Sequence, residues 1–261
     1  MISSANRIQK SFSKAAGRYE EFAVLQRDIG MRLFDTIEEK KEPLRILDVG
    51  MGTGWLTQRL RWRFPKAEII GLDFAEGMVE RARERKGDFR ILQADARALP
   101  FKEKSFDIVV SNLTYQWIKN LPGAFEQVEH LLKDDGVFYF SSFAGRTLSE
   151  LFESFDTALN RKGGSESFRP NKLKDRQDIF EAVRGAGFSH RDVHSEMVKV
   201  HFKNVPELLH WLKNIGASGV QQDIFIGKNF LLRADDFYRR NFQIENRIFA
   251  SFEAVWVKAK K

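Results

Sequence analysis

The segment Ile46-Leu47-Asp48-Val49-Gly50-Met51-Gly52-Thr53-Gly54-Trp55 holds the residue types best suited to chemistry. A short apolar run leads into it and a helical pattern leaves it, the setting of a loop that cradles a nucleotide-like ligand. Glycine lets the backbone turn sharply and approach a ligand with no Cβ in the way. The order of the glycines narrows the choice. A dinucleotide loop, G-x-G-x-x-G, needs glycine at position 55, where this chain has Trp55. A P-loop needs lysine followed by Ser or Thr, and none is there. What stands instead is G-x-G-x-G preceded by Asp48. Asp73 ends the second predicted strand, where a carboxylate can accept both hydroxyls of a ribose. Asp95 ends the third, in reach of an adenine amino group, and Asn112 ends the fourth.

Each of these has an ordinary structural reading when taken alone. Asp73 and Asp95 could cap the helices that follow, and Asn112 could shape a turn. As a set they gather at the carboxyl ends of successive parallel strands, where such sheets bind ligands.

The elements that must position them follow from hydrophobic periodicity. Phe22, Leu25, Ile29, Leu33 and Ile37 form an amphipathic helical stripe that ends before Pro43. Strands are predicted over 44–49, 67–72, 89–93, 106–111 and 137–143, the last after the turn residues Asp134, Asp135 and Gly136. Helices alternate with them over 56–64, 76–86 and 124–132, which argues a parallel sheet covered on both faces. Beyond residue 143 the pattern predicts helices over 148–160, 178–186 (closed by Gly187) and 206–213, an exposed loop over 161–167, and strands over 193–202 and 248–257. The stretch 220–242 carries Phe225, Phe230, Phe237 and Phe242 without a clean period.

The set from Asp48 to Asn112, together with Ala98-Leu99-Pro100-Phe101, resembles the class I S-adenosylmethionine-dependent methyltransferases over residues 44–142. That resemblance implies a Rossmann-like α/β fold with a seven-stranded sheet whose last strand is antiparallel. It also implies S-adenosylmethionine as cofactor, leaving as S-adenosylhomocysteine, with no metal. Gly50, Gly52 and Gly54 would flank its methionine part, with Asp48 and Met51 in the same loop and Asp73 on the ribose. Asp95 and Ala96 would meet the adenine, Phe74 and Met78 would contact the adenosine, and Asn112 would sit near the methionyl group.

Three further segments are similar to the malonyl-acyl-carrier-protein O-methyltransferases of biotin synthesis: Phe12-Ser13-Lys14-Ala15-Ala16-Gly17-Arg18-Tyr19-Glu20 with Leu25-Gln26-Arg27, Asn112-Leu113-Thr114-Tyr115-Gln116-Trp117, and Leu212-Lys213-Asn214-Ile215-Gly216-Ala217. That resemblance implies a single methyltransferase domain. Residues 1–42 would be a helical lid, 43–143 the cofactor-binding core, 144–245 an inserted cap with part of the sheet, and 246–261 the last strand. The acceptor would be the carboxylate of a malonyl thioester carried on acyl carrier protein, or on coenzyme A. A carboxylate is already ionised at neutral pH and needs no general base, so alignment and exclusion of water would carry the rate. Tyr19, on the lid, is the first candidate for recognising the acceptor, against a packing role. Arg146 could form a bidentate fork with the carboxylate, against a solvated surface role. Gln116 and Trp117 would line the acceptor mouth, although Trp117 could instead anchor its turn. His190, His194 and His201 lie on a late strand and are expected to have surface or core roles.

Composition bounds these readings. The chain has 261 residues, 43 basic against 36 acidic, no cysteine, 43% apolar and 13% aromatic residues. That suffices for a full-sized core and excludes disulfides, thiolate metal sites and cysteine nucleophiles. No apolar run is long enough for a spanning helix, and a cytoplasmic protein is expected. The formal charge of +7 is spread over short groups such as Arg59, Arg61 and Arg63, interleaved elsewhere with Glu80, Glu84 and Glu103. A solvated charged surface accounts for that pattern, with attraction to an acidic protein partner next and nucleic acid after it. Acyl carrier proteins are acidic, so the charge suits the implied partner. The rivals are a methyltransferase of the same fold acting on another carboxylate or a ring, a non-catalytic cofactor-binding protein, and an RNA methyltransferase. Against the last, no Asn-Pro-Pro-Tyr-type element follows the fourth strand.

Overall fold

The computed structural model describes residues 4–41, 44–85, 87–159, 173–217 and 227–261. Helices α1 (Ser4–Ala15), α2 (Tyr19–Phe22) and α3 (Val24–Asp35) lead into β1 (Arg45–Val49), and then α4 (Trp55–Arg63), β2 (Glu68–Asp73), α5 (Glu76–Arg83), β3 (Arg90–Gln93) and β4 (Phe106–Asn112) alternate. A single 3₁₀ turn, Tyr115–Trp117, precedes α6 (Leu121–Leu131) and β5 (Leu132–Phe143). The remainder runs α7 (Ser149–Ala158), α8 (Arg176–Gly185), β6 (His190–Phe202), α9 (Val205–Asn214), α10 (Lys228–Asn241), β7 (Gln243–Ile244) and β8 (Arg247–Lys260).

The strands form one sheet in the order β3-β2-β1-β4-β5-β8-β6, with the two-residue β7 paired beside β8. Strands β1 to β5 pair in parallel, and β8 runs antiparallel between β5 and β6. An α/β fold with this reversed strand is what the sequence implies; the eighth strand is the short β7. Successive residues of the central strands serve opposite faces, as the pleat demands. Ile46, Ile108, Tyr139 and Trp256 enter one core with Leu33, Leu56 and Leu60. Leu47, Val109, Phe138, Phe140 and Val257 enter the other with Phe125, Val128, Ile179 and Val183. The chain leaves β1 toward β2 on one side and returns through β4 on the other, so a crevice opens at their carboxyl ends.

Three elements depart from the pattern reading, each for a local reason. Helix α6 starts at Leu121 rather than 124, because the Asn120 side chain accepts from Gly123 N at 3.3 Å and Pro122 suits the first turn. The turn at 134–136 lies inside β5, where pairing jumps from Phe106↔Leu132 to Ile108↔Val137 and the intervening residues bulge. Helix α10 buries Phe230, Ala234 and Tyr238; that four-residue seam is masked in sequence by Phe237, which lies off it, and by Phe242, which packs on both Phe237 and Tyr238 from beyond the helix. The loop expected over 161–167 and Phe225 lie outside the described residues. Among the described residues no helix is long and apolar enough to cross a membrane.

Candidate active site

The loop after β1 is held by β2. The Gly50 and Met51 amides donate to the Leu72 carbonyl at 2.8 and 2.9 Å. Its three glycines all have positive φ, yet they do different work. A Cβ on Gly50 would stand 2.0 Å from Thr114 Oγ1, so this glycine lets β1 and β4 close. Gly54 caps α4 from the left-handed region and packs on Ala82 and Arg85. At Gly52 a Cβ would meet nothing within 4 Å, and the residue lines a cavity. Asp48, 1% exposed, accepts from Thr57 Oγ1 at 2.7 Å and so fastens α4 to β1. Met51 turns its sulfur toward Gly71, where any Cβ would lie 2.5 Å away.

Asp73 is the hinge of the site. Its carboxylate accepts from Gly52 N at 3.0 Å and Ala75 N at 2.8 Å, holding the glycine loop and the start of α5 together. It is 8% exposed and lines the cavity. Burial pushes its carboxyl up to about 6, against the lowering effect of the Ala75, Gly52 and Phe74 amides. Burial likewise pushes Asp48 up to about 7. Phe74, Met78, Ala94 and Ala96 continue the wall beside it. Asp95 lies between Ala94 and Ala96 but is not in the lining; it forks with Arg97, at 2.9 and 3.0 Å to Nε, and that pairing holds its carboxyl below the usual range.

The N-terminal helices cover this half. Gln9 Nε2 donates to Phe74 O at 2.7 Å, and Ser13 lies against Gly77. Arg85 pairs with Glu20 and donates through Nε to Thr53 O at 2.6 Å, tying the N-terminal segment to the glycine loop. Phe12, Tyr19 and Gln26 face the cavity. The Tyr19 hydroxyl is pushed far up by burial and by the Asp73 carboxylate, so it stays a neutral donor.

At the end of β4, Asn112 is a strut: Nδ2 donates to Gln26 O at 3.0 Å, and Oδ1 accepts from Ser141 Oγ at 2.6 Å. Leu113 follows with φ +55, an uncommon backbone for a branched residue and one found where a site imposes it. Tyr115 anchors the next turn by packing on Phe125, Phe138 and Phe140. Gln116 and Trp117 are thereby aimed at the cavity. Gln116 Oε1 accepts from Phe143 N at 2.8 Å, and Trp117 meets Phe12 edge-on at 5.5 Å.

The cavity, about 610 Å³, does not stop there. It extends into an apolar arm lined by Phe143, Leu148, Leu151, Phe152, Phe155, Leu173, Leu212, Ile215 and Phe252. Leu148, also at positive φ, is held by a 2.7 Å bond from its amide to Ser251 O. Arg146 is not in the lining, although Gly145 and Thr147 are. Its guanidinium pairs with the buried Glu253, at 3.1 and 2.9 Å. Among the described residues, the cations of the lining are Lys213 and, when protonated, His210.

A methyltransferase-domain family model matches residues 47–140. The malonyl-acyl-carrier-protein O-methyltransferase of Gallionella capsiferriformans is 34% identical, covering 97% of this chain and 90% of its own. The chain belongs to that family. The Geobacter sulfurreducens member is 36% identical over 81% of this chain and 80% of its own length. Among solved structures the fold is similar to the YcgJ protein of Bacillus subtilis, with TM-score 0.63, 18% identity, and 90% of this chain and 98% of that chain covered. It is also similar to Haemonchus contortus phosphoethanolamine N-methyltransferase 2 in complex with S-adenosyl-L-methionine, with TM-score 0.60, 18% identity, and 99% of this chain and 57% of that chain covered.

For this family member the structure brings Tyr19, Gly50, Gly52, Asp73, Phe74, Met78, Ala96, Asn112, Gln116 and Trp117 to one cavity, and leaves Asp48, Met51, Gly54, Asp95 and Arg146 behind or beside it. Sequence reasoning missed Gln26, Thr114, His210 and Lys213 as lining residues. Gln26 lies four residues after Phe22 and three before Ile29, on the buried stripe of α3, but a polar side chain in a packing stripe does not by itself signal a cavity. His210 and Lys213 are one turn apart on α9, a spacing that could have signalled a shared face. His190, His194 and His201 are absent from the lining; His194 packs against Trp256.

Proposed function

We propose that the chain transfers a methyl group from S-adenosylmethionine to the free carboxylate of a malonyl thioester on acyl carrier protein, the step that opens pimeloyl and biotin synthesis. What carries this reading is similarity over nearly the whole chain to enzymes of that name, together with one cavity that joins a nucleoside cradle to an apolar arm. A reaction on a carrier-bound thioester, with no cysteine to protect, belongs in the cytoplasm.

The residues present fit the methyl donor. Asp73 is a buried acceptor at the rim of a cradle beside a glycine whose missing Cβ leaves open space. Gln26 is 7% exposed, and its Oε1 has no hydrogen-bond partner within the protein. An unpaired buried acceptor on a side chain that lines the cavity calls for a donor, and the ammonium of the methionyl group would supply one once the amide turns toward it. When bound, the donor offers a methyl on a positively charged sulfur. Asp73 would hold the ribose, with Phe74 and Met78 against the adenosine and Ala96 beside the adenine. Gln26→Leu should therefore weaken S-adenosylmethionine binding about tenfold while the melting temperature holds or rises, since no internal bond is lost. Calorimetry showing unchanged affinity would remove Gln26 from the site.

The acceptor side asks for alignment and dryness rather than acid–base work. In this reading residues 1–42 act as a lid and 144–245 as a cap over the 43–143 core, closed by the last strand, 246–261. The lid and cap are joined where Trp211 Nε1 donates to Phe22 O at 2.9 Å. Tyr19, kept protonated by burial, would donate to the acceptor carboxylate, with Gln116 and Trp117 beside it. Arg146 would join them only after releasing Glu253; Lys213 already lines the cavity. Turnover should be seen with malonyl but not acetyl carrier protein, and Tyr19→Phe should lower kcat by roughly 10²-fold with cofactor affinity nearly intact. Equal turnover in wild type and Tyr19→Phe would leave the hydroxyl no part in the reaction, and turnover of the acetyl form would contradict a carboxylate acceptor.

A further inference from the structure

Helix α1 has two unlike faces. Ile8 and Ala15 are buried and Phe12 lines the cavity. On the outside, Arg7, Lys10 and Lys14 recur at steps of three and four residues and share one exposed stripe. The helix contains no acidic residue, and none of the three cations is in an ion pair among the described residues. Helix α4 also lacks an acid and leaves Arg59 and Arg63 outside any ion pair among the described residues, but several helical arginines elsewhere are paired along their own helix. Arg81 has Glu84, Arg184 has Glu181, Arg239 has Asp235 and Arg240 has Asp236, each one turn away. Like charges stacked one turn apart repel, and no ion pair within α1 relieves that repulsion.

The stripe is next to the cavity. Beyond α9, Gly216 has the Phe12 ring 2.6 Å from where its Cβ would stand, so the end of α9 rests on α1. That contact brings the exposed Lys213, a lining residue, to the same edge.

Building on the carboxylate-methylating reading above, we propose that the outer face of α1, through Arg7, Lys10 and Lys14, is the seat of the acidic carrier domain. Its thioester arm then enters the cavity beside Lys213. Charge complementarity favours this occupant: three uncompensated cations on the element that covers the site suit a partner that is acidic and must deliver its cargo there.

The test compares wild type with R7E/K10E/K14E, full chain, on malonyl-acyl carrier protein and on malonyl-pantetheine, which has the thioester and no protein. The reversed stripe should raise KM for the carrier substrate about tenfold or more, leave kcat/KM for malonyl-pantetheine within about twofold, and lose its difference from wild type at high salt. An unchanged carrier KM overturns the proposal, as does an equal loss on both substrates. Should the reversal impair folding, the wild-type salt series decides: KM rising with salt for the carrier alone supports the seat, and a flat series overturns it. Stripe-dependent binding to anionic phosphatidylglycerol vesicles or to RNA, with carrier KM unaffected, assigns the face to that other partner and overturns it too. If wild type methylates neither substrate, the reaction reading fails by itself, and calorimetric binding of the carrier to wild type and variant still decides the seat.

Discussion

A Gly52→Leu protein is expected to fold and to lose S-adenosylmethionine binding beyond detection. Residue 52 has φ +57, so a branched side chain there costs about 1–2 kcal/mol of backbone strain. Its Cβ would meet no atom within 4 Å. The added side chain projects instead from a cavity-lining residue whose amide is bound to Asp73. The contrast with Gly50 makes the expectation specific. A Cβ there would collide with Thr114 across the β1–β4 junction, so Gly50→Leu should fail to fold rather than fail to bind. Thermal melting with and without cofactor separates the two. A Gly52→Leu protein that melts near wild type and is still shifted upward by S-adenosylmethionine would contradict the cradle.

Asp73→Ala should have the next largest effect, about 2–3 kcal/mol of cofactor affinity, as expected for hydrogen bonds to a charged acceptor. Folding stability should change less, because two opposing terms meet. The substitution leaves the Gly52 and Ala75 amides without their acceptor, but it also removes a carboxylate whose ionisation burial opposes. The pH dependence has a definite sign. In the proposed role a ribose would donate to the ionised carboxylate, and burial pushes the free carboxyl up to about 6. Affinity should therefore be full above pH 6 and fall as the pH drops below it, approaching tenfold per unit. For the cofactor-free fold the sign is the reverse. Between the ordinary value of 3.8 and about 6 the folded carboxyl keeps a proton that the unfolded chain has released. This group's contribution to stability is thus fully present below 3.8 and lost as pH rises to 6. Calorimetric affinity that is flat from pH 5 to 8 would contradict the role given to Asp73.

The order of strands and helices through residue 143 was legible because each element repeats its own period. Runs such as Ile46-Leu47-Asp48-Val49 are buried on both faces, and Leu25, Ile29 and Leu33 hold a clean helical stripe. That Gly50, Gly52 and Asp73 share one cavity was legible for a related reason, since strand ends are fixed along one chain direction, whereas Asp48, Gly54 and Asp95 were expected there and lie outside its lining. The acceptor side was harder. Its arm is assembled from residues far apart, Phe143, Leu173, Leu212 and Phe252 among them, and apolar residues look alike whether they fill a core or line a cavity. Arg146 illustrates the limit. Its place just after β5 was read correctly, but its partner, Glu253, comes from the antiparallel β8 more than a hundred residues away. No local spacing could signal that ion pair. The separate duties of Gly50, Gly52 and Gly54 were equally hidden, since Thr114, open space and Ala82 meet them only in three dimensions.

The most direct test of the central claim is the intact mass of malonyl-acyl carrier protein after incubation with the enzyme and S-adenosylmethionine, beside acetyl-acyl carrier protein as the partner lacking the carboxylate. The account predicts a gain of one methyl group on the malonyl form alone. No gain on the malonyl form by an enzyme that demonstrably binds S-adenosylmethionine, or a gain on both forms, would contradict it.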